Sequence, residues 1–420
     1  MYKCSTERMG DKIKTFSTFG DAGHGGITRY SLSNEAIMAR DEFVKRMTAI
    51  GATIETDDLA NMYATIPGSD PNAKRIVMGS HCDSVKNGGN YDGILGVMGG
   101  MEVLETVVAE KIPHKHPLTA MIWTNEEGSE FPPCMMCSGI VCHDYMPERF
   151  RDNFEYSKMM KSVSIVDTTT TFGEKLSTFK YKGDKANRLN PDKYEAMFEL
   201  HIEQGIVLEQ ESRQIGIVTG IKGPYWIEGS FDGEANHAGG TPMNMRKDAM
   251  TAAANYIAEV EKIASRLGDM FVATVGTLKV HPGGINTIPG RVDYTIDIRD
   301  TDMERRAQGI REIKEAAVKI SDRFHVESTQ KCLKDAKAEM MNEAIVDTIE
   351  DVCKKRGYTY MRMPSGPFHD TLSMAHICDV GMIFVPSIGG VSHSPYEDTA
   401  WDDIFAGAQV LADTMENLVG

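Results

Sequence analysis

Apolar and polar positions along the 420-residue chain alternate in two different styles. Through about residue 220, short apolar runs bounded by Gly, Asn and Asp are separated by segments of helical period. That is the pattern of a sheet with helices on its faces. The runs predict strands at 53–66, 73–79, 116–124, 195–202 and 215–220. The apolar run that starts at Arg75 breaks at Gly79. Residues 36–50 have helical period, with Ser33 as N-cap, Ile37, Val44, Met47 and Ile50 on one face, and Gly51 as the stop. A second helix opens at Asp92 and runs to 110, packed closely through Gly96, Gly99 and Gly100. Residues 17–33 read as loop, and 140–190 as polar, irregular chain with short helices.

A different module starts near Ile221. Strands at 225–232, 270–280, 291–299 and 325–331 alternate with helices at 246–267 and 301–324, the latter opened by a Thr301/Glu304 capping box. The order β-α-β-β-α-β is the ferredoxin-like pattern. From about Ala336 the first style resumes, with a helix at 339–356, a Gly/Pro loop, a strand at 380–386 and a last helix at 402–419. The expected fold is therefore α/β: a mixed-sheet domain (1–220 and 336–420) interrupted by a smaller α+β insert (221–335) that serves as lid.

Composition narrows the function classes. The formal net charge is −16, which argues against nucleic acid and anionic membranes as partners. No apolar run reaches the ~20 residues of a membrane span, and the N-terminus has no apolar signal core. The 8 cysteines are scattered, which fits a reducing cytoplasm. Cys134 and Cys137 form a single CxxC with no second pair, and read as small buried side chains.

Against that background, the stretch 75–96 stands out. His81 and Asp83 follow an apolar strand, and a Gly-rich loop leads to Asp92 at a helix start. Glu126-Glu127, His201 and His393 also fall at or just past predicted strand ends, the edge where sites of open α/β sheets gather. Imidazole and carboxylate together suit Zn, Mn or Co. Three His and at least two carboxylates exceed the needs of one catalytic zinc. A carboxylate shared between two metals accounts for the surplus. Asp83 is then expected to accept a hydrogen bond from the far nitrogen of His81. Adjacent Glu126 and Glu127 point different ways, so one can bind metal while the other faces a water as general base.

The ordered segments GSHCDSVKNGGNYDG, NEEGSEFPP, ELHIEQG, ANHAGGTPM, GGINTIPG-x6-DIRD, SGPFHD and VPSIGGVSHSPYE resemble the amidase/hydantoinase/carbamoylase branch of the dinuclear-metal aminoacylase and carboxypeptidase-like amidohydrolases. The resemblance implies two divalent ions per subunit, Zn or Mn, with Co and Ni also suited. Asp92 would bridge them, His81 and His201 would bind one, and Glu127 and His393 the other. Glu126 would be the general base. His201, where related peptidases have Asp or Glu, favours the amidase branch. His237 would stabilise the oxyanion from the partner subunit of a homodimer. Asn286 and Arg299 would hold a substrate carboxylate, Gln204 would touch the substrate near the metals, and His369 would border the pocket.

By that resemblance the reaction is hydrolysis of a small carboxylate-bearing ureido compound, an N-carbamoyl-L-amino acid first. Allantoate or a ureidoglycolate-type intermediate is the alternative, and a dipeptidase or a non-catalytic metal-binding relative are lesser ones. The chain departs from the family pattern at Glu130, where Arg is usual, at Cys134 and Cys137, and at Pro367-Phe368 before His369.

Overall fold

The computed structural model describes residues 2–151, 153–268 and 270–419. The chain divides into two compact units, Met1–Thr219 with Met341–Gly420, and Gly220–Met340. Among the described residues no helix is long and apolar enough to cross a membrane.

The first unit is built on a nine-stranded sheet among the described residues, a mixed α/β architecture. Its middle holds four parallel strands in the order Asp379–Val385, Tyr194–Ile202, Arg75–His81 and Leu118–Trp123. These strands are almost entirely buried. Their near-continuous apolar runs follow from being covered on both faces. Met62–Ile66 and Thr53–Thr56 add an antiparallel hairpin on one side. On the other side Ile215–Ile221 pairs antiparallel with Asp379–Val385, and Glu339–Met340 pairs with Ile215–Ile221. The strand Asp379–Val385 thus lies between two strands that precede it by far in the chain.

Local structure departs from the sequence pattern where a tertiary contact decides. The strand Arg75–His81 does not break at Gly79. A Cβ there would sit 2.3 Å from the Met121 carbonyl oxygen, so this glycine permits close strand packing instead of marking an end. The next helix is Ile94–Glu110, beginning two residues after Asp92 because Gly93, at φ 67°, is its N-cap. Gly96 and Gly100 of that helix face the carbonyl oxygens of Leu200 and Met78, where a Cβ would fall at 2.6 and 2.7 Å. Ser33 caps the helix Asn34–Ala49, accepting from the Ala36 amide. The buried face of that helix is Ala36, Ala39, Arg40, Phe43 and Met47, rotated from the expected one because Arg40 belongs inside.

Three elements depart from the pattern. The helix Thr6–Phe16 is held by a buried cluster in which Lys12 Nζ contacts Glu102 at 2.7 Å and also Glu105. Residues Glu339–Met340 form a short strand, so the following helix is Glu343–Arg356, capped by Asn342. The Gly/Pro region beyond it contains the strand Tyr360–Ser365.

The second unit has four antiparallel strands in the order Val272–His281, Arg291–Asp300, Gly223–Asp232 and Glu327–Asp335. Helices Ala249–Leu267 and Met303–Phe324 pack on this sheet around Ile227, Phe231, Tyr256, Tyr294 and Ile313. The second helix is capped by Asp302, which accepts from the amides of Glu304 and Arg305, and not by Thr301.

Candidate metal centre and its surroundings

The parallel strands of the first unit deliver the acid and imidazole groups to one sheet edge. His81 is the last residue of its strand, His201 the penultimate residue of the next, and Glu126 follows the end of the third by three residues. Positive φ at Asn125 (59°), Gln204 (56°) and His393 (53°) turns the chain sharply at three points around the site. Such strain persists only where the surroundings over-determine it.

Asp92 lies at the middle of the cluster, 5 % exposed. Its two oxygens face opposite ways. Oδ1 is 3.6 Å from His81 Nε2 and 3.3 Å from His201 Nε2. Oδ2 is 3.1 Å from His393 Nε2, which is 3.4 Å from Glu127 Oε2. The donor atoms therefore fall into two groups, His81–Asp92–His201 and Asp92–Glu127–His393, with Asp92 common to both.

The hydrogen bonds of the ring nitrogens settle the protons. His81 Nδ1 is 2.9 Å from the Asp83 main-chain oxygen, and His201 Nδ1 is 2.9 Å from that of Ile202. A carbonyl only accepts, so both rings carry a proton on Nδ1 and, in the neutral form, present the Nε2 lone pair to Asp92 Oδ1. With both rings neutral, two lone pairs and a carboxylate oxygen converge without a proton between them. A cation resolves that convergence, and the buried Glu127 Oε1, without a hydrogen-bond partner, adds a further open donor. The residues present therefore fit a divalent ion of intermediate softness.

Electrostatics agree. Burial, reinforced by Asp92 and Asp83, pushes the Glu127 carboxyl well above the usual carboxylate range. Burial, with Asp370, Glu127, Cys134 and Asp83, does the same to Glu126. Burial works against protonation of His201, but Asp92 lifts it to about 9. Without a cation the cluster therefore holds protons, on the Glu126 and Glu127 carboxyls and on the His201 imidazole, that a bound cation would displace.

Glu126 stands beside the two groups, its Oε2 3.5 Å from His81 Nε2. Asp83 acts differently from the sequence expectation. Its carbonyl, not its carboxylate, holds His81; the carboxylate is 3.9 Å from Nδ1. The carboxylate instead accepts the amides of Glu126 (3.4 Å) and Glu127 (3.2 Å) and so fixes the acidic pair. Gln204 Nε2 donates to Asp92 Oδ2 at 2.9 Å. His369 is 2 % exposed and packs edge-on against His201, ring centroids 4.5 Å apart, with Nε2 bonded to Ser365 Oγ at 3.0 Å. It lies beneath the His201 ring, not along an open pocket wall.

Two supports have no counterpart in the sequence reading. Glu397 accepts the amides of Tyr91 and Asp92 on one oxygen and the Ser392 hydroxyl on the other. It closes the SHSPYE segment, where its acidic type was the available signal. Gly93 seats His81, since a Cβ there would lie 2.3 Å from the imidazole. The pattern departures are accommodated locally. Glu130 is buried and held by Lys175 Nζ at 2.7 and 2.8 Å, the 8 cysteines are thiols outside any disulfide, and the Pro367 carbonyl accepts from Ser365.

In the second unit, the short pairing of Asn236–His237 with Thr287–Ile288 brings His237 and Asn286 together. The amide of Ala238 donates to the Asn286 carbonyl at 2.9 Å. His237 Nδ1 accepts from the amides of Gly239 (3.0 Å) and Gly240 (3.1 Å), so its proton sits on the outward Nε2. Arg299 is paired with Asp297 at 2.7 Å and lies at the far end of the strand Arg291–Asp300. Asn286 belongs to the loop that leaves the Arg291 end, so one copy of this unit does not join Asn286 to Arg299.

Imidazole and carboxylate donors at a parallel sheet edge, with an uncommitted Glu alongside, define a metal-dependent hydrolase. The profile of Peptidase family M20/M25/M40 matches residues 77–417, and the chain belongs to that family. It is 36% identical over 412 residues to N-carbamoyl-L-amino acid amidohydrolase of Geobacillus stearothermophilus, covering 98% of each chain. It is 31% identical over 403 residues to allantoate amidohydrolase of Escherichia coli K12, covering 96% of this chain and 95% of that one. Its fold matches the crystal structure of a hydantoinase/carbamoylase family amidase from Burkholderia multivorans with a TM-score of 0.92 and 33% identity, over 100% of this chain and 98% of that chain.

Proposed function

We propose that the chain is an N-carbamoyl-L-amino-acid amidohydrolase acting through two divalent ions, Zn or Mn, with Co and Ni also accepted by the donor set. The observation that carries this reading is the divided carboxylate of Asp92, one oxygen toward His81 and His201 and the other toward His393 and Glu127, with Glu126 left uncommitted 3.5 Å from His81. The likeness to the bacterial carbamoyl-amino-acid enzyme along the whole chain supports the substrate class.

Bound ions at these donors supply Lewis-acid polarisation of the ureido carbonyl and acidify a water. Glu126 takes a proton from the attacking water and returns it to the leaving nitrogen; burial, by raising its carboxyl, suits it to both steps. Asp83 keeps the backbone of Glu126 and Glu127 in place throughout. His237 donates its Nε2 proton to the carbonyl oxygen as negative charge builds there. Arg299 takes the substrate carboxylate in its guanidinium fork, Asn286 adds a donor, and Gln204 bonds the substrate beside Asp92. The carbamate released breaks down to CO2 and ammonia, leaving the amino acid.

The geometry of the inserted unit supports a homodimer. Arg291 and Arg299 are eight residues apart on one strand, about 27 Å at strand rise. No small ureido acid reaches both ends. The strand Val272–His281 is a sheet edge, and its Val272 pairs with Arg299 while His281 pairs with Arg291. Two-fold pairing along that edge brings the His237 end of one copy beside the Arg299 end of the other. Each substrate site then uses His237 and Asn286 of the partner copy. The unbridged thiols support a reducing compartment, the cytoplasm.

Allantoate, or a ureidoglycolate-type acid, is the second reading, favoured by the likeness to the Escherichia coli enzyme. Ammonia release from N-carbamoyl amino acids, 3-ureidopropionate and allantoate, measured on protein stripped and reloaded with Mn or Zn, separates them. Highest kcat/KM on a carbamoyl amino acid is the expected result. No turnover of any ureido substrate, or faster turnover of Gly-Xaa dipeptides, overturns the proposal.

A further inference from the structure

Two arginines are buried next to the candidate metal centre, and among the described residues neither has a carboxylate within ion-pair distance. Arg40 is fully buried and Arg29 is 2 % exposed. Among the described residues neither forms an ion pair with a carboxylate, and Arg40 Nε has no hydrogen-bond partner at all. A buried guanidinium in this state lowers stability, so the fold alone gives no reason for it.

The contacts of Arg40 supply the reason. The strands Arg75–His81 and Leu118–Trp123 end side by side, with His81 paired to Trp123. Cys82 and Thr124 are the first residues beyond that pairing. Arg40 Nη1 donates to Cys82 Sγ at 3.2 Å, and Nη2 donates to Thr124 Oγ1 at 2.9 Å. Its guanidinium also packs over Phe179, 5.4 Å from the ring centroid, which holds the fork in one orientation. Thr124 is fixed independently, its amide donating to Asn61 Oδ1 at 3.0 Å. Arg29 Nε donates to the Cys82 carbonyl, and Nη1 to the carbonyls of Phe16 and Phe19. One residue before Cys82 is His81, and two after Thr124 is Glu126.

We propose that Arg40 is a positioning residue for the metal centre: its fork spans the ends of the two strands and sets the spacing between the His81 imidazole and the Glu126 carboxylate. The inference rests on the reading of His81 as ligand and Glu126 as base. A planar group with two diverging donors is required, since Lys has one donor point and cannot bridge Cys82 and Thr124 at once. The geometry it maintains is the 3.5 Å approach of Glu126 Oε2 to His81 Nε2, and displacement there changes both the ligand field and the reach of the base.

The test uses the full chain, as Arg40→Met and Arg40→Lys variants. Tm, metal content, kcat and KM, and the visible absorption spectrum of the Co(II)-loaded protein are measured. Arg40→Met is expected to melt at or above the wild-type temperature, because an unpaired buried charge is replaced by an apolar chain of similar length. Its kcat per metal-loaded site falls about 10- to 100-fold with little change in KM, and the Co(II) bands shift. Arg40→Lys folds with wild-type Tm, and its kcat and spectrum lie between the two. Arg40→Met with wild-type kcat and an unshifted Co(II) spectrum overturns the proposal, whatever its Tm. If Arg40→Met does not fold, Arg40→Lys decides: wild-type kcat and spectrum in that variant also overturn it. A wild-type protein inactive on all ureido substrates would sink the proposed function, while the Co(II) spectra would still judge the role of Arg40.

Discussion

His81 is held by the main-chain oxygen of Asp83, 2.9 Å from Nδ1, while the Asp83 carboxylate serves the amides of Glu126 and Glu127. The two functions of Asp83 are therefore separable. In Asp83→Asn the carbonyl still fixes the His81 tautomer, but the side-chain NH2 faces one of the two amides. Metal content should remain near wild type while kcat falls about 10- to 100-fold. Parallel loss of metal, read by elemental analysis, would show that the carboxylate supports the ligand after all.

Glu126 offers a sharper separation of binding from chemistry. Glu126→Gln keeps the shape and the backbone bond from Met135 to the Glu126 carbonyl. It removes the group that accepts and returns the proton. Metal content and substrate affinity should hold, with kcat down about 10²- to 10⁴-fold. A variant with wild-type kcat would remove Glu126 from the mechanism.

Gly93 has both a positive φ, 67°, and the His81 ring where its Cβ would go. Gly93→Ala should therefore displace the imidazole and weaken metal binding, seen as lower retention after equilibrium dialysis. Wild-type retention would mean the ring has room the structure does not show.

The separation of His237 from Arg299 along the inserted sheet predicts subunit complementation. His237→Ala and Glu126→Gln homodimers should each be nearly inactive. A heterodimer of the two holds one site with both native residues, so random subunit exchange should restore about a quarter of wild-type activity. Absence of recovery, with exchange verified by mass spectrometry, would place His237 in the site of its own chain.

The metal-free chain should lose stability as pH rises. Glu126 and Glu127 are raised by burial above their ordinary 4.5, so from there upward the native state holds protons that the unfolded chain has released. Stability falls with pH wherever that is so. His201 acts in the same direction: its contribution is complete below 6.5 and is lost through about 9. Asp92, held low by His201 and His393 against burial, acts only below 3.8. The Tm of stripped protein should drop between about pH 5.5 and pH 8.5, and the gap to metal-loaded protein should widen, since the ligands must be deprotonated to bind. A stripped Tm that rises over this range contradicts the assignment.

The parts of the site that could be read from the sequence share a position. His81, Glu126 and His201 each close an apolar run, and a run buried on both faces is visible without a structure. The supports were hidden for separate reasons. Asp83 carries both a carbonyl and a carboxylate, and residue type does not say which one meets His81. Arg40 sits among polar residues on a helix, where a charge ordinarily marks the solvent face; its burial is decided by Cys82 and Thr124, distant in sequence. Glu397 reaches Asp92 across 305 positions, a pairing that no local pattern encodes. The helix Thr6–Phe16 has no clean apolar stripe in the sequence because its buried side includes Lys12, neutralised by Glu102 and Glu105 from another helix.

The strand order of the large sheet also constrains how the protein is made. Asp379–Val385 is inserted between Tyr194–Ile202 and Ile215–Ile221, yet it leaves the ribosome after the whole inserted unit. The two earlier strands, close in sequence, must leave a gap for a partner more than 150 residues downstream. His393 follows that strand, so the second donor group is incomplete until the end of synthesis. An N-terminal fragment is left with an open sheet edge and only one of the two candidate donor groups, and the open edge makes truncated chains prone to aggregate.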